Sequence, residues 1–175
     1  MLFLGRLKER DLTREEFKIL FDQNFDSIRS YIYYRCGDQD LATDIAQDVF
    51  MKVWEKDFEI RDGKIVGLLY KLAGDFFVSS FRRRELDGRY RKSIELQYYS
   101  EAPDETAEYN ELKGRYEKAL TEMNENQRIV FLMSRVEDLK YGEIAERLNI
   151  GQKAVEKRMT LALKFLRERL EIGSK

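Results

Sequence analysis

Tyr141-Gly142-Glu143-Ile144-Ala145-Glu146-Arg147-Leu148-Asn149-Ile150-Gly151-Gln152-Lys153-Ala154-Val155-Glu156-Lys157-Arg158-Met159 is the stretch on which the reading of this chain turns. It has the pattern of a helix-turn-helix: a short first helix, a tight turn, and a second helix crossing the first steeply. The crossing needs a small residue, and Ala145 supplies it. The turn needs a residue that tolerates positive φ, and Asn149 is one. Ile144, Leu148, Ile150 and Val155 are expected to form its small core. Past the turn, Val155, Met159, Ala162 and Leu166 recur at spacings of four, three and four, which is one helical face. The other face offers Lys153, Glu156, Lys157, Thr160 and Lys164. Such a face fits the major groove, where lysine meets phosphates and guanine edges and glutamate accepts from cytosine. Arg158 sits at the edge between faces, placed for phosphate. The competing reading is a plain helical hairpin with a solvated charged face. Generic helix pairs rarely combine the small residue, the turn and the second apolar stripe.

Outward from this motif the chain reads as helical throughout. One proline and ten glycines in 175 residues leave few helix breakers. Phe17, Leu20, Phe21, Phe25, Ile28, Tyr31 and Ile32 predict an amphipathic helix over Glu15 to Arg35, ended by Cys36-Gly37-Asp38 with Gly37 left-handed. A second helix is predicted from Leu41 to Glu55, with Ile45, Ala46, Val49, Phe50, Val53 and Trp54 on its buried face. Asp57 to Gly67 reads as a loop, and Ile65 to Arg84 as a third helix. Ser93 to Tyr109 is weakly periodic, holds Pro103 among Glu101, Asp104, Glu105 and Glu108, and reads as an acidic linker. Helices are then expected over Glu111 to Met123, Asn126 to Val136, Lys140 to Leu148 and Gln152 to Leu170. The fold class is therefore all-α: two small helical domains, residues 12–92 and 111–172, joined by an acidic linker over 93–110.

The net charge of −1 conceals segregation. Residues 11–60 carry net −6, residues 61–92 net +5, residues 93–126 net −6 and residues 140–175 net +4. Two basic blocks separated by acidic ones suit two contacts with a polyanion, although ordinary surface charge gives a similar pattern. The chain has one cysteine and no histidine, which removes internal disulfides, the usual zinc donors and the commonest general base. No Gly-rich phosphate loop is present either, so an enzyme is not expected, and no cofactor or metal is implied. No apolar run approaches the roughly 18 residues of a membrane span, and Met1 to Arg6 is too short for a signal peptide. A reducing, cytoplasmic setting is expected, without membrane insertion and with a monomeric chain.

Two further surfaces stand out. The helix from Leu68 to Arg84 mixes Tyr70, Phe76, Phe77 and Phe81 with Lys71, Arg82, Arg83 and Arg84. Aromatics can stack on unpaired bases while arginines follow the backbone, but about half of these aromatics are expected in the core. Three adjacent arginines cannot all be buried. The helix bearing Asp44, Gln47, Asp48 and Met51 presents an acidic-polar face, which is poor for DNA and plausible for docking a protein; an ordinary solvated face is the alternative.

These stretches resemble the extracytoplasmic-function sigma factors, the smallest sigma factors of bacterial RNA polymerase. Asp44-Ile45-Ala46-Gln47-Asp48-Val49-Phe50-Met51-Lys52-Val53-Trp54 is similar to the polymerase-binding helix of region two. Leu69-Tyr70-Lys71-Leu72-Ala73 through Phe81-Arg82-Arg83 is similar to its promoter-melting, minus-ten-reading helix. Asn126 to Leu132 resembles the start of region four, and Glu143-Ile144-Ala145 through Leu166-Arg167 its minus-thirty-five helix-turn-helix. The resemblance runs from Phe17 to Leu170, and Val155 to Met159 and Leu163 to Leu166 are worded like versions from Bacteroidetes. It implies core RNA polymerase, promoter DNA and an anti-sigma factor as partners. It implies docking on the polymerase through Asp44, Gln47, Asp48 and Met51. Minus-ten contacts would come from Lys71, Asp75, Ser79, Arg82, Arg83 and Arg84, and minus-thirty-five contacts from Lys153, Glu156, Lys157, Arg158, Thr160 and Lys164. The chain departs from the family pattern at Asp75 (usually asparagine), Ser79 (aspartate), Met123-Asn124 (leucine-proline), Gly151 (a capping serine) and Leu161 (arginine). A free-standing helix-turn-helix regulator, binding duplex DNA without polymerase and as a dimer, is the alternative class.

Overall fold

The computed structural model describes residues 12–55, 64–86 and 107–170, and the described residues form seven helices. α1 (Arg14–Cys36) starts at Thr13, whose hydroxyl accepts from the Glu16 amide at 3.2 Å while the Glu16 carboxylate accepts from the Thr13 amide at 2.9 Å. This reciprocal pair satisfies two otherwise orphaned donors. Gly37 ends α1 at φ 68°, the left-handed conformation expected of it. Asp38 then caps α2 (Gln39–Glu55), accepting from the Leu41 amide at 2.9 Å. Ile45, Ala46, Val49, Phe50 and Val53 are buried as the periodicity predicts. Trp54 is a correction: it remains 52% exposed and only leans its ring on Phe17, because α1 has just begun where α2 ends. α3 (Ile65–Leu86) begins at Ile65, where a helix is expected, so that the last three residues read as loop are helical; residues 57–63 of that loop lie outside the described residues.

Within this half, Phe50 is ringed by Phe17, Phe21 and Phe25, with centroids 6.3, 5.0 and 5.9 Å away. Tilted and edge-on aromatic pairs at such distances add to plain burial. They pin α2 on the N-terminal half of α1, which frees the opposite face of α2 for solvent.

α4 (Ala107–Glu122) starts four residues before the expected Glu111. Those residues are exposed, so no apolar stripe betrays them, while Glu108 favours the positive end of the helix dipole. Residues 93–106 of the expected linker lie outside the described residues. Asn124, one of the departures noted above, caps α5 (Glu125–Arg135) by accepting from the Asn126 amide at 3.0 Å, and Met123 beside it is buried. An asparagine cap thus does the work of starting a helix without proline. α6 (Tyr141–Leu148) and α7 (Gln152–Leu170) complete the chain. No helix among the described residues is long and apolar enough to cross a membrane.

The helices do not sort into two separate cores. α5 packs on α1 and α6 on α3, and the buried apolar residues of both halves form one cluster.

Candidate nucleic-acid interface

α6 and α7 make the expected motif. The Glu143 carboxylate accepts from the Lys140 amide at 2.7 Å and fixes the entry of α6. Asn149 closes it at φ 51° and ψ 48°, and its amide and that of Ile150 bond back to Glu146 and Ala145 carbonyls at 3.2 and 2.9 Å. Ala145 is buried at the crossing, where a larger side chain would push the helices apart. Gly151 starts α7 with its carbonyl, accepting from Ala154 at 2.9 Å. The space where its Cβ would stand is open, so glycine is tolerated there and not demanded. Val155, Met159, Ala162 and Leu166 are all buried, whereas Leu148 and Ile150 are only half-buried.

The opposite face of α7 is open. Lys153, Glu156, Lys157, Thr160 and Lys164 are exposed, and Arg158 is half-buried at the edge. Gln152 donates to Glu156 at 3.1 Å and the Thr160 hydroxyl to the Glu156 carbonyl at 2.9 Å. Leu161, another departure, is exposed between the two faces.

On α3, Lys71, Asp75, Ser79, Arg82 and Arg83 are exposed and lie along one flank; the Arg84 side chain lies outside the described part. The aromatics divide: Tyr70 and Phe77 are buried, Phe76 and Phe81 half-buried. Tyr70 and Phe77 are therefore core residues and are not available for base stacking. Phe77 also carries the Arg35 guanidinium over its ring at 4.3 Å. On α2, Asp44, Gln47, Asp48 and Met51 are exposed, Met51 to 58%. Trp54, three residues on from Met51 in the same helix, adds exposed apolar area to this surface, and Ile19 of α1 is likewise exposed. Among the described residues no group of side chains could hold a metal ion.

Sequence reasoning gave Arg128 and Glu137 no role, and both are prominent. Arg128 is 2% exposed. It donates to the Leu120, Thr121 and Met123 carbonyls at the end of α4, and to Tyr34 and Arg35 at the end of α1, at 2.7–3.3 Å. Its charge thus sits on the negative ends of two helix dipoles. Glu137 pairs with Arg147 at 3.3 Å, and its Oε1 is buried with no hydrogen-bond partner among the described residues. Burial pushes its carboxyl above the ordinary glutamate range, against the pull of Arg147 and of the nearby Tyr34 and Ser27 hydroxyls. Tyr70, which accepts from Arg147 at 3.2 Å, is pushed up to about 12, chiefly by burial and next by the Glu137 charge.

The Glu137 shift has a testable sign. A carboxyl raised in the folded state binds its proton more tightly folded than unfolded, so its contribution is most favourable below the ordinary value of 4.5 and is lost as pH rises through the raised one. Glu137→Gln abolishes that titration. Its melting temperature relative to wild type is expected to improve between pH 4 and pH 7; a gap that stays flat across this window would show that Glu137 does not titrate there.

The comparisons agree with this geometry. A family model described as sigma-70, region 4 matches residues 113–166, spanning most of α4 to α7. The ferric citrate uptake sigma factor FecI of Escherichia coli is 28% identical over 162 residues, covering 90% of this chain and 92% of that protein. SigX of Bacillus subtilis, an ECF RNA polymerase sigma factor, is 23% identical over 165 residues, covering 90% of this chain and 85% of that protein. The fold is that of the sigma factor RpoE of Bartonella quintana, solved in complex with the anti-sigma factor NepR: the TM-score is 0.62 at 22% identity, over 91% of this chain and 99% of that one. The helix-turn-helix with its open basic face, the acidic α2 face and relatives matched over most of their length point the same way: the chain is similar to extracytoplasmic-function sigma factors along most of its length, and its residues 113–166 match sigma-70 region 4.

Proposed function

We propose that the chain binds core RNA polymerase and directs it to specific promoters, recognising DNA without catalysing a reaction. The observation that carries this reading is the exposed α7 face of Lys153, Glu156, Lys157, Thr160 and Lys164, held outward by the buried stripe from Val155 to Leu166. In this reading residues 111–172 form the minus-thirty-five domain. α7 enters the major groove, with Arg158 at its rim. Residues 12–92 form the second domain. There Lys71, Arg82, Arg83 and Arg84 follow the opened minus-ten strand, and Asp75 and Ser79 lie on the same flank. The Asp75 carboxylate repels phosphate, so this chain's minus-ten preference differs from that of relatives with asparagine. Flipping a base out of the stack costs a few kcal/mol, and each stacking contact returns about 1–3 kcal/mol. With Tyr70 and Phe77 committed to the core, opening depends on the polymerase as well.

Asp44, Gln47, Asp48 and Met51 dock on the polymerase, and Trp54 widens that surface. Of the acidic stretch 93–110, the part ahead of α4 serves as a tether between the two domains. An anti-sigma factor holds the chain inactive in the cytoplasm until it is needed.

Two substitutions test the assignment. Lys157→Ala is expected to weaken promoter binding by the holoenzyme and to reduce the slope of log affinity against log salt by about one. Unchanged affinity and slope would remove Lys157 from the contact. Asp48→Arg is expected to reduce holoenzyme assembly at least tenfold in a core-polymerase titration while the helical circular dichroism is preserved. Normal assembly would sink the docking face.

A further inference from the structure

The open face of α7 is not uniformly basic. At about 100° per residue, Val155, Met159, Ala162 and Leu166 point one way, and the direction opposite to them falls between Thr160 and Leu161. Lys157 lies a turn before this pair and Lys164 a turn after it. These residues make a diamond on the helix surface, charged at its ends, with Thr160 and Leu161 on either side of its midline. Leu161 is 41% exposed, whereas the other large apolar side chains of α7 are buried or half-buried.

Thr160 offers less polarity than its residue type suggests. Its hydroxyl donates to the Glu156 carbonyl at 2.9 Å. A threonine bonded back to its own helix has spent its only side-chain donor. What it presents outward is a methyl and an oxygen that can only accept. The lysines, by contrast, are free to meet a new anion. Lys157 is exposed, and Lys164 lies 3.9 Å from Glu168 in an exposed pair of the kind that contributes little.

A lone exposed leucine is ordinary on a protein surface. This one stands between lysines on the face that fits the major groove. A duplex drawn to Lys157 and Lys164 brings its base edges against Thr160 and Leu161. In that groove guanine shows acceptors, adenine an acceptor and a donor, and cytosine a donor, while thymine alone shows an apolar group, its C5 methyl. Leucine against a polar base edge strips water from it and returns no hydrogen bond. Against the thymine methyl it removes apolar surface from water on both partners.

We infer that Leu161 and the Thr160 methyl form a thymine-reading patch on α7, selecting that base by its C5 methyl while Lys157 and Lys164 hold the flanking backbone. This rests on the promoter-reading proposal above and deepens it, naming the base and giving Leu161 a contact that the proposal leaves without one.

The test uses holoenzyme assembled from core polymerase and the full chain, with a promoter library randomised across the minus-thirty-five element. Wild type is expected to enrich thymine at one or more positions. Replacing such a thymine by deoxyuridine removes only the methyl and is expected to weaken binding about three- to fivefold, the worth of one buried methyl group. Leu161→Ala is expected to lose the enrichment and to bind both duplexes alike. Leu161→Arg is expected to enrich guanine at that base pair, since arginine pairs bidentately with its O6 and N7. Thr160→Ser keeps the hydroxyl, drops the methyl and is expected to lose part of the deoxyuridine effect; Thr160→Val keeps the methyl and is expected to retain it. Both positions are exposed, so helical circular dichroism is expected to stay unchanged in every variant. Equal binding of the thymine and deoxyuridine duplexes by wild type would overturn the patch. So would a Leu161→Ala holoenzyme that selects the same sequences with the same dependence on the methyl. Either result leaves the sigma reading standing, because the holoenzyme still selects promoters and Lys157→Ala still flattens the salt dependence. A chain that forms no holoenzyme overturns both.

Discussion

Arg128→Ala is expected to destabilise the folded chain by about 3–5 kcal/mol, the scale on which removing one member of a buried charged arrangement acts. The guanidinium is buried, and five backbone carbonyls at the ends of α4 and α1 accept from it. Alanine leaves those carbonyls without their donor and a void too irregular for the main chain to close. For a chain of this length each kcal/mol moves the melting temperature by about 2–4 °C, so a fall of about 10 °C is expected by thermal circular dichroism. Arg128→Lys is expected to recover less than half of it. An ammonium is a point charge and cannot fan its donors across two helix ends as the planar guanidinium does. A melting temperature within 2 °C of wild type for Arg128→Ala would show that the carbonyls find water instead.

Phe50→Ala is expected to cost a similar amount, about 3–5 kcal/mol, for a different reason. Phe50 is 2% exposed, and three phenylalanines of α1 close round it, so truncation opens a cavity that α1 and α2 are too long and straight to fill. Phe50→Leu keeps most of the volume and is expected to lose less than half as much, measured by urea unfolding. Phe50 lies between Asp48 and Met51 on α2 but faces inward. Polymerase binding by Phe50→Ala is therefore expected to fall only where the protein begins to unfold and to be near normal at low temperature. Loss of binding in the fully folded variant would mean that the cluster shapes the docking face directly.

The helices and their inward faces were legible because each is a local periodic pattern. Val155, Met159, Ala162 and Leu166 needed no knowledge of a partner to be read as buried, and the conformations of Gly37 and Asn149 follow from residue type at a helix end. What escaped were relations between distant segments. Arg128 reads as an exposed charge at the start of a helix, and only the return of the chain onto α1, 94 residues away in sequence, buries it. Glu137 lies in a loop where a carboxylate is ordinary, until α1, α3 and α6 close over it. Trp54 failed in the other direction: its spacing placed it with the core, but α1 offers it only the edge of Phe17. For the candidate interfaces, the sequence indicated which side chains face outward. How far each of them stays open, as with the half-buried Arg158, follows only from the packed chain.

Trp54 is the chain's only tryptophan, and it lies in α2 beside Met51, half in solvent. Excited near 295 nm, the protein therefore emits from a single site at the rim of the acidic helix face. That emission senses local polarity at the outer face of α2 and the melting of the helices around it, and takes no direct signal from the helix-turn-helix. Far-ultraviolet dichroism weighs the helices of both halves together. Recording the two signals along one denaturant titration compares the unfolding of one half with that of the whole, with no label added and no residue changed.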